Sequence, residues 1–306
     1  MEKEVKKVAY LGRGIHDKNI AESLMNGKLR QMLIAISNDK DLDVQIRKNY
    51  FNIYYHGGNI ARVINENRIE FEMLYFNVED IPTKDLKLNP VKYKYLKSQR
   101  DSMIAKFIDG KYEDYFALAK EVMERWFKKN PNPERLEQHH LSIENQYNKS
   151  DYTIIDLEYE VSTLSDFACT YKQAGKEKPK KPKFDIIVIN KQGKLCVIEL
   201  KKGLDALDNT SGLQEHWDCY KQSIGRNHEP FMREMAFLLK QKQDFNLIDK
   251  QVVINSPEPE FMFAYAYNDK KSKQEQYKKF HEKCNKVDPN IPILTLAYGT
   301  RKLMDK

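Results

Sequence analysis

Lys183-Phe184-Asp185-Ile186-Ile187-Val188-Ile189 and Leu195-Cys196-Val197-Ile198-Glu199-Leu200-Lys201 are two apolar, β-branched runs separated by the polar stretch Asn190-Lys191-Gln192-Gly193-Lys194. Runs of this kind on either side of a turn read as a β-hairpin. Side chains alternate along a strand, so Leu195, Val197, Glu199 and Lys201 share one face, and Asp185, Ile187 and Ile189 share one. A three-residue loop Lys191-Gln192-Gly193 puts glycine where positive φ is wanted. Asn190 then pairs with Lys194, and counting back sets Asp185 opposite Glu199. A two-residue turn at Gln192-Gly193 would set Asp185 opposite Leu200 and split the carboxylates between faces. The glycine position favours the first register. Three ionisable side chains then stand in strands that otherwise read as core, where a charge is costly unless paired or metal-bound.

That grouping has a chemical use. Two neighbouring carboxylates, Asp185 and Glu199, suit Mg²⁺ or Mn²⁺, and the Leu200 carbonyl between Glu199 and Lys201 can add a third oxygen. A metal held there would polarise a phosphodiester and lower the pKa of bound water. The Lys201 ammonium is placed to position that water or to offset charge developing on phosphate. The plainer reading is a solvated hairpin end with a cross-strand salt bridge.

The pattern resembles the PD-(D/E)xK nuclease superfamily: an acid near the start of one strand (Asp185), Glu-x-Lys on the next (Glu199-Leu200-Lys201), and a helix after it. The resemblance covers residues 133–255. Phe184 stands where the superfamily's name has proline. The resemblance implies a restriction-endonuclease-like fold, with a mixed central sheet flanked by helices, and metal-dependent hydrolysis of nucleic acid, DNA more than RNA. A homodimer would supply the two active sites that cutting both strands of a duplex often needs. A further acid often comes from the helix before the first core strand, and Glu137 and Glu144 lie on that helix. Glu158, on the strand expected to pair with the Asp185 strand, is a third candidate, and the sequence does not choose among them. His216 stands where some related nucleases carry the Gln of a Gln…Tyr pair, with Tyr220 four residues on. It is a candidate supporting residue or a plain surface histidine.

Composition sets the frame. The chain has 306 residues, 41% of them hydrophobic, with 52 Lys+Arg against 45 Asp+Glu and a net charge of +7. That is enough apolar material for a packed core. The charge permits a polyanionic partner without requiring one. Cys169, Cys196, Cys219 and Cys284 have no metal-type spacing. Met1-Glu2-Lys3-Glu4 opens without an apolar h-region, and no run reaches transmembrane length, so a cytoplasmic protein without a membrane partner is expected. No P-loop, nucleophile elbow or internal repeat is present.

The organisation expected is α/β (α+β): an antiparallel β-rich unit over 1–90, then a nuclease-like unit over 91–306. In the first unit a short helix spans 17–27. Strand-like runs follow at Leu29–Ile36, Leu42–Arg47, Tyr50–Tyr55, Ile60–Ile64 and Ile69–Phe76, with a hairpin turn at His56-Gly57-Gly58-Asn59. Arg47, Lys48, Tyr50, Tyr54 and Tyr55 offer a basic, aromatic nucleic-acid face, although alternate aromatics packing the sheet is the preferred reading. In the second unit, helical periodicity places Leu96, Ile104 and Phe107 on one helix and Tyr115, Ala119, Val122 and Trp126 on the next. A third helix, capped by Asn132-Pro133, runs to about Tyr147 and buries Leu136, His140, Ile143 and Tyr147. Tyr152–Val161 reads as a strand whose Asp156, Glu158 and Glu160 form the face opposite Ile155, Leu157, Tyr159 and Val161; that face suits solvent, or a place near the site, since the strand should pair with the Asp185 strand. The lysine-rich stretch 171–183 reads as an irregular loop able to track phosphates. Ser211-Gly212-Leu213-Gln214 reads as a helix start. Further strands are expected at Gln251–Asn255, Phe261–Tyr267 and Ile293–Tyr298. A non-cleaving nucleic-acid-binding module of the same fold is the alternative reading of the whole chain.

Overall fold

The computed structural model describes residues 12–77, 89–146, 149–161, 169–173, 176–202, 212–226, 228–266, 272–296 and 301–304. It is a mixed α+β protein with a four-stranded antiparallel sheet and a larger mixed sheet. The first sheet runs β1 (Leu42–Ile46), β2 (Phe51–Tyr55), β3 (Gly58–Asn65) and β4 (Arg68–Glu70) in that order. The second has the order β12-β11-β10-β9-β8-β5: Leu303–Met304, Ile293–Leu296, Glu260–Ala266, Leu195–Lys202, Lys183–Asn190 and Tyr152–Glu160. Its β5, β8 and β9 are antiparallel neighbours, whereas β9, β10 and β11 run parallel.

Helices α1 (Lys18–Met25) and α2 (Lys28–Ser37) precede the first sheet. The α2 segment replaces the strand expected at Leu29–Ile36. Its buried residues are Leu29, Met32, Leu33 and Ile36, a spacing that only a helix puts on one face. The meander then follows the sequence reading up to Glu70, after which Met73–Phe76 forms a 3-10 turn rather than strand. Helices α3 (Pro90–Ile108) and α4 (Tyr112–Phe127) pack on this first sheet; the buried Tyr115 hydroxyl donates to the Ile60 carbonyl at 2.6 Å. One apolar cluster runs from Ile15 and Leu29 through Tyr115 to Phe184 and Phe263, so both sheets draw on continuous packing.

Helix α5 (Pro133–Glu144) starts at the Asn132 cap, as the Asn-Pro pair implied, with the Asn132 side chain accepting from Arg135 N. Its buried face differs from expectation. Glu137, Gln138, His139, Leu141 and Ser142 are buried, while Leu136, His140 and Ile143 are half-buried. Tyr147 lies outside the described residues. Beyond β5, the basic stretch forms a two-stranded ribbon, β6 (Cys169–Gln173) with β7 (Lys176–Lys180), so its irregular reading is corrected at the backbone level. The side chains of its lysines lie outside the described residues.

Helix α6 (Leu213–Tyr220) widens into one π turn at Lys221–Gly225 and is followed by α7 (His228–Asp244). Helix α6 takes Gly212 as its cap residue with no side-chain cap bond, and Ser211 lies outside the described residues. Gln251–Asn255 is not a strand: its Asn255 amide bonds back to the Gly193 carbonyl at 2.8 Å and braces the hairpin loop. Helix α8 (Lys273–Val287) buries Phe280, stacked on Tyr265 of β10 at 4.6 Å. Cys196 is a buried thiol outside any disulfide, as its place in the strand implied; Cys219 is disulfide-bonded, which the spacing of the cysteines did not indicate. Among the described residues, no helix is long and apolar enough to cross a membrane.

Candidate functional site

The hairpin carries the site, and its register is the one set by Gly193. Ile186 pairs with Ile198, Ile187 with Val197, Val188 with Cys196 and Ile189 with Leu195. The loop closes with Gly193 N on the Asn190 carbonyl at 2.9 Å, and Gly193 has φ +80°. The paired apolar side chains are at most 2% exposed, and each fully buried aliphatic side chain contributes about 1.5–3 kcal/mol. This is a rigid base for the charged residues at its end.

At Asp185 the ladder stops. Continuing the register would set Asp185 opposite Glu199, but the last pair is Ile186–Ile198. On its other side β8 stays paired with β5 as far as Lys183, so the strand itself continues while its ladder to β9 ends. The Asp185 carboxylate then takes over as acceptor: Oδ2 receives the Leu200 amide at 2.9 Å, and Oδ1 receives Gln138 Nε2 of α5 at 3.3 Å. Burial first, then the nearby Glu199 charge, push Asp185 well above the ordinary carboxylate value.

Glu199 and Lys201 sit two apart on β9 and share a face, as expected. Both are buried, and Lys201 Nζ donates to Glu199 Oε1 at 2.7 Å. His216, on α6, brings Nε2 within 3.1 Å of the same oxygen, an ion-pair approach rather than a well-aligned hydrogen bond. Burial raises Glu199, but His216 and then Lys201 outweigh it and hold the carboxylate below its ordinary range. Among the described residues, Glu199 Oε2 is buried with no hydrogen-bond partner. A buried carboxylate oxygen normally has one, so this atom has capacity for a cation.

The further acid does not resolve onto one residue. Glu137 pairs with Lys202 at 3.0 Å and Arg301 at 2.9 Å. Glu144 accepts the Arg301 amide at 2.9 Å. Glu158, at φ +49°, pairs with Lys183 at 2.8 Å, and Lys181 pairs with Glu160 at 3.5 Å. The helix contribution comes instead from Gln138, which touches Asp185, and from Glu134 one turn earlier, whose charge acts on Asp185. Neither was singled out in the sequence; the signal was their i, i+4 spacing on the capped helix.

Of the two readings of the acidic face of β5, the exposed one fails at Asp156, and that residue does not join the Asp185 site either. Its side chain is fully buried, with Arg13 Nε at 2.8 Å on Oδ2 and Arg47 Nη1 at 2.7 Å on Oδ1. Arg47 also donates to the Tyr54 hydroxyl at 3.2 Å and the Leu157 carbonyl at 3.1 Å. Arg47 is therefore an internal cross-tie between the two sheets and takes no part in an exposed basic face. Among the described residues, no group of three or more His, Cys, Asp or Glu side chains is placed to hold a metal ion. No protein-family model, curated protein or solved structure matches this chain.

Proposed function

We propose that the chain is a metal-dependent nuclease of the restriction-endonuclease-like fold, hydrolysing phosphodiester bonds in DNA. The observation that carries this reading is Glu199: a buried carboxylate flanked by Lys201 and His216, with one oxygen free and the carboxylate of Asp185 close enough to be pushed up by its charge. A carboxylate whose ionisation is opposed by burial and by a neighbouring carboxylate, as Asp185 is by Glu199, is stabilised by a hard divalent cation. Asp185, Glu199 Oε2 and the Leu200 carbonyl would hold Mg²⁺ or Mn²⁺, which supplies Lewis acidity and a bound water of lowered pKa.

The protein's own groups have distinct roles in this scheme. Gln138 and the Leu200 amide fix Asp185 so that its carboxylate cannot swing into solvent. His216 keeps Glu199 ionised. Lys201, beside Glu199 on the same face of β9, would orient the attacking water and offset charge on the phosphate. In the test, purified protein is incubated with duplex and single-stranded DNA and with RNA, in Mg²⁺ and in EDTA. Cleavage that requires the metal supports the reading. Salt-sensitive binding without cleavage in either condition would assign a non-cleaving binding module instead.

A further inference from the structure

We infer that the cleft between α6 and the start of β10 receives an unpaired nucleobase, one carrying an amino group, from the strand being cut. The cleft has a volume of about 410 Å³, within the range of roughly 300–1,000 Å³ usual for small-molecule sites. Its aromatic lining is Trp217, Tyr220 and Phe261, and its polar lining includes Glu258, Asp288 and Asn290. That the occupant belongs to a nucleic-acid strand rests on the nuclease reading. Trp217 directly follows His216, whose ring approaches Glu199. Phe261 pairs with Val197, two residues before Glu199 on the same face of β9, which sets it about 7 Å along the sheet from the level of Glu199.

The walls of the cleft are preformed. The buried Tyr220 hydroxyl donates to the Pro259 carbonyl at 2.9 Å and ties α6 to the start of β10. Beyond Tyr220 the helix widens into the π turn Lys221–Gly225, where the Ser223 hydroxyl donates to the Cys219 carbonyl at 2.6 Å. Single π turns of this kind are rare and recur at functional sites. Here the turn brings Lys221 and Gly225 to the cleft. On the loop after α8, the Ile291 amide donates to the Asp288 carbonyl at 3.2 Å, and the Phe263 amide of β10 donates to the Pro292 carbonyl at 3.1 Å.

The chemistry of the lining selects a base. The Trp217 and Tyr220 rings are stacked, with centroids 5.6 Å apart and planes 12° from parallel. Lys221 Nζ lies over the Trp217 ring, 5.1 Å from its centroid, and the Lys221 side chain is 49% exposed. Its ion pair with Asp218, at 3.0 Å, is a weak surface contact. An exposed lysine can swing aside for a planar ring and meet the adjoining phosphate. Because the chain already supplies a cation over this ring, a second cation gains little there, whereas a neutral base stacks. Of the three carboxylates at the cleft, Glu260 pairs with Lys194 at 3.0 Å, and Asp288 Oδ1 accepts the backbone and side-chain amides of Asn290 at 2.9 and 3.1 Å. Glu258 is exposed and is the carboxylate placed for the base. Carboxylates accept from amino groups, which cytosine, adenine and guanine carry and thymine lacks.

The test uses the full chain carrying Trp126→Phe, in which Trp217 is the sole tryptophan, in EDTA. Deoxycytidine, deoxyguanosine and thymidine, which have no phosphate, are titrated while Trp217 emission is read, with arginine as a cationic control. Saturable quenching by the first two is expected, with thymidine at least about fivefold weaker. Glu258→Ala, an exposed substitution, should abolish that preference. Trp217→Leu, followed by saturation-transfer NMR and checked for folding by circular dichroism, should bind each nucleoside at least about fivefold more weakly. Asp185→Asn should bind nucleosides as the wild type does, so base capture and cleavage fail separately. Nucleoside binding by a protein that cuts no nucleic acid would overturn the nuclease reading and leave the base site standing. No saturable quenching, thymidine bound as tightly as deoxycytidine, undiminished binding by Trp217→Leu, or quenching by arginine in place of the nucleosides would each overturn the base site.

Discussion

Asp185→Asn should make the metal-free protein more stable while removing its response to Mg²⁺. The Asp185 carboxyl is held well above its ordinary value of 3.8, by burial and then by Glu199. A carboxyl raised in the folded state favours folding fully below its unfolded value, and that contribution is lost as pH rises toward the folded value. At neutral pH the wild type therefore carries a cost that asparagine does not. The substitution also fits the hydrogen bonds. The oxygen of the introduced carboxamide can accept the Leu200 amide, and its nitrogen can donate to Gln138 once the Gln138 amide turns over, keeping both contacts. Removing a functional group of this kind typically returns about 1–2 kcal/mol. For 306 residues the unfolding entropy is about 0.6 kcal/mol/K, so Tm should rise by about 2–3 °C. Scanning calorimetry in EDTA at pH 7.5 and pH 4 provides the assay. The gain should be present at 7.5 and shrink at 4, and Mg²⁺ should raise the Tm of the wild type only. A variant less stable than wild type in EDTA at pH 7.5 would refute the argument that Asp185 is an electrostatic liability without a cation.

Two further substitutions probe the neighbouring electrostatics. Asp156→Ala leaves the guanidinium groups of Arg13 and Arg47 buried without their shared partner. It should cost about 3–5 kcal/mol, read as a fall of about 5–8 °C in Tm, and an unchanged Tm would show that the cross-tie is dispensable. His216→Ala removes the strongest influence holding Glu199 below its ordinary value of 4.5. Stability from a depressed carboxylate is present above its unfolded value and lost as pH falls through the folded one. The variant should be about 1–2 kcal/mol less stable at pH 6, by urea titration, with the deficit shrinking below pH 4. A constant deficit across that range would mean that His216 acts by packing alone.

The hairpin was legible because its determinants are local: Gly193 fixes the loop, and the alternation of Leu195, Val197, Glu199 and Lys201 fixes the face. The α2 segment misled because Leu29–Ile36 is short and apolar almost throughout, and only the i, i+3, i+4, i+7 positions of Leu29, Met32, Leu33 and Ile36 betray the helix. The burial of α5 was not legible, since Glu137 and Gln138 are polar and are buried by partners that only the fold brings to them. Asp156 illustrates the same limit. Three alternating acids suit solvent until Arg13, ahead of α1, and Arg47, just past β1, both remote in the chain, are brought onto Asp156. Asp185 shows where local rules give way near a site: the β8–β9 ladder ends at Ile186–Ile198, one pair short of Asp185 and Glu199, and the Asp185 carboxylate accepts the Leu200 amide. The donor from Gln138 could be found from sequence only by projecting the Asn132-capped helix onto the hairpin, which requires the tertiary packing itself.

Single-turnover cleavage of duplex DNA with Mg²⁺, comparing the wild type with Lys201→Ala, reads out the proposed chemistry at Glu199 itself. Lys201 is bonded to Glu199 at 2.7 Å and is the one ammonium in contact with that carboxylate among the described residues. The wild type should cleave only with the metal, and the variant should be slower by a factor of about 100 or more while keeping its circular dichroism spectrum. Equal rates for the two proteins, or no cleavage by either, would contradict a nuclease centred on Asp185, Glu199 and Lys201.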